Sequence, residues 1–454
     1  MAINPWIHDV AAYDYWSKPL GLLTIAAILR SAGQKVALID CLSPYPEWIC
    51  YTTQEQHFKL PKRKKDGHGK YFKEMLPAPD FFRSLKRRYS RYGMPIEVFK
   101  KILQGLKPPD IILVTSMMTY WYPGVFEAIE LSKRCFPGVP VILGGIYATL
   151  CTEHAHLSGA DYVISGPGEP QLQQIWKDAL NSQLPHDICE TDLDHAPYPA
   201  LDLLEYLDQV PILTSRGCPY RCTYCASHVL YGTFLRRNPY RVADEIEYWL
   251  RHRGVRHFSF YDDALLVRPE DMIIPLLEEI VKRDLPVRFH CPNGLHLREM
   301  TPGIARLMYQ AGFRTLRFGF ETSNVKWQTR TGGKVSNPHL DAAIAYLLQA
   351  GYSGHDIGVY VLCGLPGQSS HDVHKTVEYV LAAGARTIIT EYSPIPGTAL
   401  WEEAVASSPY PLDKEPLCHN NSLLPCRSKW LTYDDYQKIK RNLFELTNHQ
   451  AYDH

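Results

Sequence analysis

Three cysteines, Cys218, Cys222 and Cys225, stand within ten residues, Arg216 to Cys225, directly after an apolar run, 210–214, that reads as a strand. Their C-x3-C-x2-C spacing puts three thiolates on one tight loop, where each can hold one iron of a [4Fe–4S] cube. No fourth cysteine lies in this loop, so the fourth iron would have no protein ligand. An open iron can bind and reduce a small molecule. The competing reading is a three-cysteine zinc site completed by His228, although zinc sites usually pair their ligands as C-x2-C with a second pair further on.

The elements around the loop must position it. From Pro211 to about Leu400 the pattern alternates strand and helix, with strands expected at Ile212–Ser215, His257–Tyr261, Val287–His290, Thr315–Phe320, Gly358–Leu362 and Thr387–Glu391. Six such units predict a partial (β/α)6 barrel, in which polar groups at the C-terminal strand ends converge on the reaction centre. Those ends here carry Asp262 and Asp263, Asn293, Glu321, Gly364 with Gly367, and Glu391.

The cysteine loop and these strand ends together resemble the radical S-adenosylmethionine (SAM) superfamily, whose open iron chelates the methionine end of SAM. The resemblance implies a SAM site built from Tyr224 for the adenine, Asp262 or Asp263 and Glu321 for the ammonium and ribose, and Asn293 for the ribose. Gly364 and Gly367 would let backbone approach the ligand. One departure stands out. The strand-two end usually offers a glycine-glycine-glutamate-like turn and here is Asp262-Asp263, as in relatives with a cobalamin-binding half.

The first 185 residues also alternate strand and helix. A helix is expected over Pro19–Leu29, ended by Gly33, then strands at Val36–Asp40, Asp110–Ser116, Val139–Gly145 and Asp161–Ser165, with a helix over Gly124–Cys135. Apolar runs each followed by a helix predict a parallel, doubly wound, Rossmann-like sheet. Its first strand, Ala2 to Pro5, is so short that either the chain begins earlier or this edge of the sheet is weak. Thr115, Ser116 and Met118, then Gly144 and Gly145, then Gly166 and Glu169 recur at successive strand ends and suit a flat, bulky ligand. This pattern resembles the cobalamin-binding domain of the B12-dependent radical SAM class. A doubly wound sheet of this kind can equally bind another nucleotide, or nothing.

Many cobalamin proteins ligate cobalt from below with the histidine of a D-x-H-x2-G loop. Asp66-Gly67-His68 imitates its start, but Tyr71 replaces the expected glycine and the segment follows the Pro19–Asp40 helix and strand, which it should precede. The loop Asn4 to Lys18 stands in the proper place and holds His8, Tyr13, Tyr15 and Trp16 without the motif. Cobalamin is therefore expected without a histidine below the metal.

Domains follow as 1–185 for the cobalamin-binding-like unit, with a basic insertion at about 52–108. A linker spans 186–209, the radical SAM core 210–400, and a mainly helical extension 401–454, with one helix from Thr432 to Thr447. Residues 59–107 hold fifteen Lys/Arg against four Asp/Glu. They could dock an acidic substrate or partner, or form a solvated insertion. Tail residues Cys418, His419, Asn420, Asn421 and Cys426 could cap the barrel mouth or form a structural lid.

Formal net charge is zero, so bulk electrostatics gives no reason to expect nucleic acid. No run approaches the roughly 20 apolar residues of a membrane helix, and no basic-then-apolar leader is seen at the N-terminus, which predicts a cytoplasmic protein. The nine cysteines outside the loop contain no C-x2-C pair, so no second cluster has an obvious ligand set.

The expected activity is that of a cobalamin-dependent radical SAM methyltransferase. A 5′-deoxyadenosyl radical would activate an unactivated carbon and methylcobalamin would supply the methyl group. The alternative with the same architecture is cyclisation, rearrangement or carbon–carbon bond formation; a different class is a non-enzymatic cobalamin or Fe–S sensor. The resemblance implies a small-molecule, lipid or peptide substrate and an electron donor such as flavodoxin or ferredoxin.

Overall fold

The computed structural model describes residues 1–44, 61–184 and 192–450, with side chains to 446. Cys50, Cys189, the first part of the expected insertion and the start of the expected linker lie outside these residues. The chain divides into two compact units, Met1–Gln209 and Val210–His454.

The first unit holds β1 (Ala2–Asn4), β2 (Ile7–Asp9), β3 (Leu38–Asp40), β4 (Lys73–Met75), β5 (Ser90–Tyr92), β6 (Ile112–Val114), β7 (Val141–Leu143) and β8 (Tyr162–Val163). Five of them form a sheet in the order β3-β1-β6-β7-β8, parallel throughout. Successive side chains of a strand point to opposite faces, and both faces here are buried. Ile112, Val114, Val141 and Leu143 enter one core with Ile129 and Tyr147, while Leu113 and Ile142 enter the other with Leu22, Leu29 and Trp176. That is why these strands read as unbroken apolar runs. The short β1 is no edge: it pairs β3 on one side and β6 on the other.

The chain reverses its direction of winding between β1 and β6, which is where such sheets take ligands, beyond their C-terminal ends. From the end of β1 the chain runs straight into β2, which pairs antiparallel with β5, and β5 with β4. A small three-stranded sheet therefore extends from the ligand end. No strand pattern is legible here, because β4 (Lys-Glu-Met) and β5 (Ser-Arg-Tyr) hold no apolar run. The expected linker also differs from a loose connection. Ala200 N donates to Leu23 O at 3.0 Å, and Ala200 packs on Ala26 and Ala27 of the helix Leu20–Ser31.

The second unit holds β9 (Val210–Ile212), β10 (Ser215–Arg216), β11 (Leu235–Arg236), β12 (His257–Phe260), β13 (Arg288–His290), β14 (Leu295–His296), β15 (Phe313–Glu321), β16 (Ile357–Cys363) and β17 (Arg386–Glu391). Strands β9, β12, β13, β15, β16 and β17 lie side by side in chain order, all parallel. This is the six-stranded architecture expected, with helices between the strands and a helical C-terminal segment ending in Tyr433–Gln450. One face is aromatic: Phe258, Phe260, Phe289 and Phe313 pack ring on ring. The opposite face is polar, with His257 Nδ1 and His290 Nε2 at 2.9 Å and His290 Nδ1 and Thr315 Oγ1 at 3.0 Å. Among the described residues no helix is long and apolar enough to cross a membrane.

Candidate functional site: the cysteine loop and the two ligand ends

The cysteine loop follows β10, and Gly217, at φ +79°, opens it. An added Cβ there would lie 2.6 Å from Thr233 O, so only glycine fits the turn. Cys218, Cys222 and Cys225 are free thiols. Burial pushes Cys218 up to about 11, and burial likewise raises Cys222 and Cys225, with Lys334 pulling Cys222 back. Among the described residues no group of three or more His, Cys, Asp or Glu could hold one metal ion. Three thiolates on one loop can each take a different iron of a larger group.

Two tyrosines hold this loop to the turn after β14 and to the end of β15. Tyr220 OH donates to Glu299 Oε1 at 2.5 Å, and Tyr224 OH donates to Glu321 Oε1 at 3.0 Å. The same Glu321 oxygen takes a bond from Lys334 Nζ at 2.9 Å. Burial alone would lower the Lys334 ammonium, but Glu321 overrules it and holds the group well above the ordinary lysine range. Burial and Glu321 together push the Tyr224 phenol well up. Glycines make room: a Cβ at Gly319 would meet Glu321 Oε1 at 2.8 Å and Lys334 Nζ at 2.9 Å, and one at Gly332 would meet Arg221 O at 3.1 Å. The turn carrying Lys334 thus lies on the cysteine loop itself. Sequence reasoning missed Lys334; the pair Gly332-Gly333 before it was the available signal.

The other expected SAM residues separate into two groups. Asp262 is buried and its oxygens accept from Thr214 N at 3.0 Å, Thr214 Oγ1 at 2.6 Å and Ser215 Oγ at 2.6 Å. Burial raises it; those bonds pull it partly back. It braces the chain entering the cysteine loop through Thr214 and Ser215. Gly364, at φ +96°, lies against the tail, where a Cβ would come 2.8 Å from Leu424 Cδ1. Asp263 stands nearer the cysteines, accepting from Ser227 Oγ at 2.6 Å, and burial raises it. Asn293 is exposed and donates to Tyr261 O at 2.9 Å. Gly367, at φ +78°, faces open space.

The tail closes over the ends of β16 and β17. Ser393 Oγ donates to His419 O at 2.7 Å, Lys440 Nζ lies 3.7 Å from Glu391, and Cys418 and Cys426 are buried. Asn420 is buried too and caps the turn at Asn421 and Ser422 by accepting from Ser422 N at 2.8 Å.

In the first unit, Ser116 Oγ donates to Gly144 O at 2.7 Å and accepts from Ala148 N at 3.3 Å. Ser116 therefore fixes the loop after β7. Gly145 stands at φ +100°, and a Cβ there would lie 2.3 Å from Ser116 O. Gly166, at φ +83°, has nothing within 4 Å, and Gly144 meets only Ile164 at 3.8 Å. Thr115 is half-buried, Met118 is exposed and Glu169 starts the helix Glu169–Leu180. Two glycines bordering open space beside an exposed thioether form a cradle that fits a flat ligand such as a corrin.

The decoy histidine comes closer than its place in the chain suggests. The turn at Lys64–His68 folds back on the loop after β2, so the His68 ring meets Tyr13, Tyr15 and Trp16. Its ring is held, with Nδ1 2.6 Å from Tyr13 OH and Nε2 3.4 Å from Asp66. His8 is buried on β2, with Nε2 3.0 Å from Glu127.

A parallel six-stranded unit with a three-cysteine loop, behind a doubly wound unit with a glycine cradle, defines a class. The radical SAM superfamily matches residues 212–380, and the B12 binding domain matches residues 92–175. The chain is thus a radical SAM enzyme with a B12-binding domain ahead of the radical SAM domain. These matches indicate SAM and cobalamin as its cofactors, and the three-cysteine loop suits an iron–sulfur cluster.

The chain is 24% identical over 369 residues to an uncharacterized methyltransferase of Pyrococcus horikoshii, covering 73% of this chain and 74% of that protein. It is 23% identical to the cytidylyl-2-hydroxyethylphosphonate methyltransferase of Streptomyces wedmorensis, over 88% of this chain and 79% of that one. Among solved structures, the radical SAM methyltransferase TsrM of Kitasatospora setae, with tryptophan and a SAM analog bound, superposes with a TM-score of 0.63 at 17% identity, covering 93% of this chain and 82% of that one. A second structure of TsrM holds cobalamin and a [4Fe–4S] cluster.

Proposed function

We propose that the protein is a cobalamin-dependent radical SAM methyltransferase acting on an unactivated carbon. The observation that carries this is the Tyr224–Glu321–Lys334 group set against the loop of Cys218, Cys222 and Cys225, in a chain that also carries the B12-binding fold. Relatives named as methyltransferases over most of its length support it. When bound, the cluster and SAM supply a carbon radical, and cobalamin carries the methyl group.

The chain's own residues bind and orient. Cys218, Cys222 and Cys225 would hold the cluster. The Lys334 ammonium and Glu321 carboxylate offer one charge of each sign beside it, which suits the two charged ends of an amino acid. Asp263, Asn293 and Gly367 supply the remaining polar edge and backbone approach, with Tyr224 as the aromatic wall. Asp262 positions this set by fixing Thr214 and Ser215. In the first unit Gly144, Gly145 and Gly166 would receive the corrin, with Thr115, Met118 and Glu169 around it.

The test is anaerobic turnover of the reconstituted protein with candidate substrates. Methyl transfer predicts S-adenosylhomocysteine, 5′-deoxyadenosine and a product heavier by one CH2. 5′-Deoxyadenosine with no gain of CH2 would reassign the chain to cyclisation or rearrangement; corrin binding without SAM cleavage would make it a sensor.

A further inference from the structure

We propose that the exposed basic face of the first unit, Lys62 to Arg88, docks a small acidic one-electron carrier protein. The inference rests on the cofactor reading above, since both cluster and corrin need electrons from outside. Residues 61–92 expose nine cations: Lys62, Lys64, Lys65, Lys70, Lys73, Arg83, Lys86, Arg87 and Arg88. The one exposed carboxylate among them, Asp80, is paired with Arg83 at 2.8 Å. The other acids are engaged: Glu74 meets Arg91 at 3.1 Å, and Asp66 lies 3.4 Å from His68. Eight exposed cations are left without a carboxylate among the described residues.

This imbalance is local. The chain has 48 Lys/Arg and 48 Asp/Glu, yet residues 59–107 hold fifteen against four, so this stretch carries +11 and the remainder −11. A local excess of one sign of charge steers an oppositely charged partner during encounter.

The face is built and well placed. The turn with Lys62, Lys64 and Lys65 is anchored to the loop after β2 by Asp14 N to Gly69 O at 2.8 Å, Gly69 N to Asp14 O at 2.9 Å and Trp16 Nε1 to Asp66 O at 2.7 Å. Arg63 Nη2 adds a buried bond to Asp14 at 2.5 Å. That loop reaches the ligand end of the parallel sheet, where Ser17 Oγ lies 3.8 Å from Met117 Sδ and Trp121 Nε1 donates to Asp9 Oδ2 at 2.8 Å. A carrier seated here is at the end of the sheet that takes the corrin.

The chemistry of the face selects the partner. Met75 is the one large apolar side chain it exposes. A charged surface with so little apolar area suits the small, transient interfaces of redox encounters. In the step itself the carrier is oxidised by one electron and the corrin is reduced by one; no atom or proton moves between them.

The experiment uses the full chain and a flavodoxin as probe. Titration of oxidised flavodoxin into the protein measures binding without any turnover, and stopped-flow absorbance with reduced flavodoxin measures corrin reduction. Two charge reversals, Lys62→Glu/Lys64→Glu/Lys65→Glu and Lys86→Glu/Arg87→Glu/Arg88→Glu, are each expected to lower affinity and the second-order rate at least about tenfold, while reduction by dithionite is unchanged. Raising the ionic strength should do the same to the unmodified protein, which needs no variant to fold. Unchanged affinity and rate in both variants overturn the proposal. So does tighter binding of a DNA or RNA oligomer than of flavodoxin, lost on charge reversal, which would make the face a polynucleotide site. Failure of the protein to take up cobalamin overturns the functional reading instead, and the binding titration still decides the docking.

Discussion

The Tyr224 hydroxyl donates to Glu321 Oε1 at 3.0 Å, the same oxygen that Lys334 Nζ reaches at 2.9 Å. One carboxylate oxygen therefore links the cysteine loop, the end of β15 and the turn after Arg330. Glu321 itself stands at φ +69°, a left-handed conformation uncommon for a residue with a side chain. Removing one partner from a buried pair leaves the other charge uncompensated and costs about 3–5 kcal/mol. Glu321→Gln should lower thermal stability accordingly, and Glu321→Gln with Lys334→Met should recover much of it. Lys334→Met alone should weaken SAM binding at least about tenfold while iron content holds; equal SAM affinity in that variant would remove Lys334 from the site.

Single replacements of Cys218, Cys222 or Cys225 by alanine should abolish both iron uptake and release of 5′-deoxyadenosine. His228→Ala should leave iron content unchanged. Zinc in the purified protein, lost with His228→Ala, would restore the four-ligand zinc reading.

Two glycines of the first unit make contrasting predictions. At Gly145 a methyl group would lie 2.3 Å from Ser116 O, so Gly145→Ala must part the loops after β6 and β7. It should lower both the melting temperature and cobalamin affinity. Gly166→Ala meets open space and bears only the strain of φ +83°, of order 1–3 kcal/mol. Cobalamin affinity that falls in Gly166→Ala beyond this loss of stability would mark the surface the corrin occupies.

His68→Ala should leave the absorption spectrum of bound cobalamin unchanged, because both ring nitrogens already face Tyr13 and Asp66. A shift in the spectrum of the one-electron-reduced form would show that the imidazole reaches cobalt.

Acid should weaken the first unit through Glu127. Burial alone would raise its carboxyl, but hydrogen bonds from His8 and Arg91 overrule it and hold it below the usual glutamate value of 4.5. A carboxyl whose folded value is depressed stabilises the fold above its unfolded value, and the contribution is lost as pH falls through the folded one. Unfolding midpoints should therefore drop as pH falls below about 4.5, and Glu127→Gln should flatten that slope.

The six strands β9, β12, β13, β15, β16 and β17 were legible because strand and helix alternate regularly through them and most close on a polar strand end, and the cysteine spacing located the reaction centre among them. Strands β4 (Lys-Glu-Met) and β5 (Ser-Arg-Tyr) were not, since they hold no apolar run and stand outside that alternation. Asp262 and Asp263 look equivalent in the sequence; only the fold shows Thr214 and Ser215 consuming the first and leaving the second beside the cysteines. Lys334 carries no motif, and its meeting with Glu321 depends on a turn that the sequence marks with two glycines and nothing else.

The packing of Ala200 on Ala26 and Ala27, with Arg30 and Asp202 joined at 2.7 Å beside it, bears on any attempt to produce the corrin-binding half by itself. A fragment trimmed near residue 185 would strip a small-residue helix face bare and invite self-association, whereas one carried through Gln209 keeps its own cover.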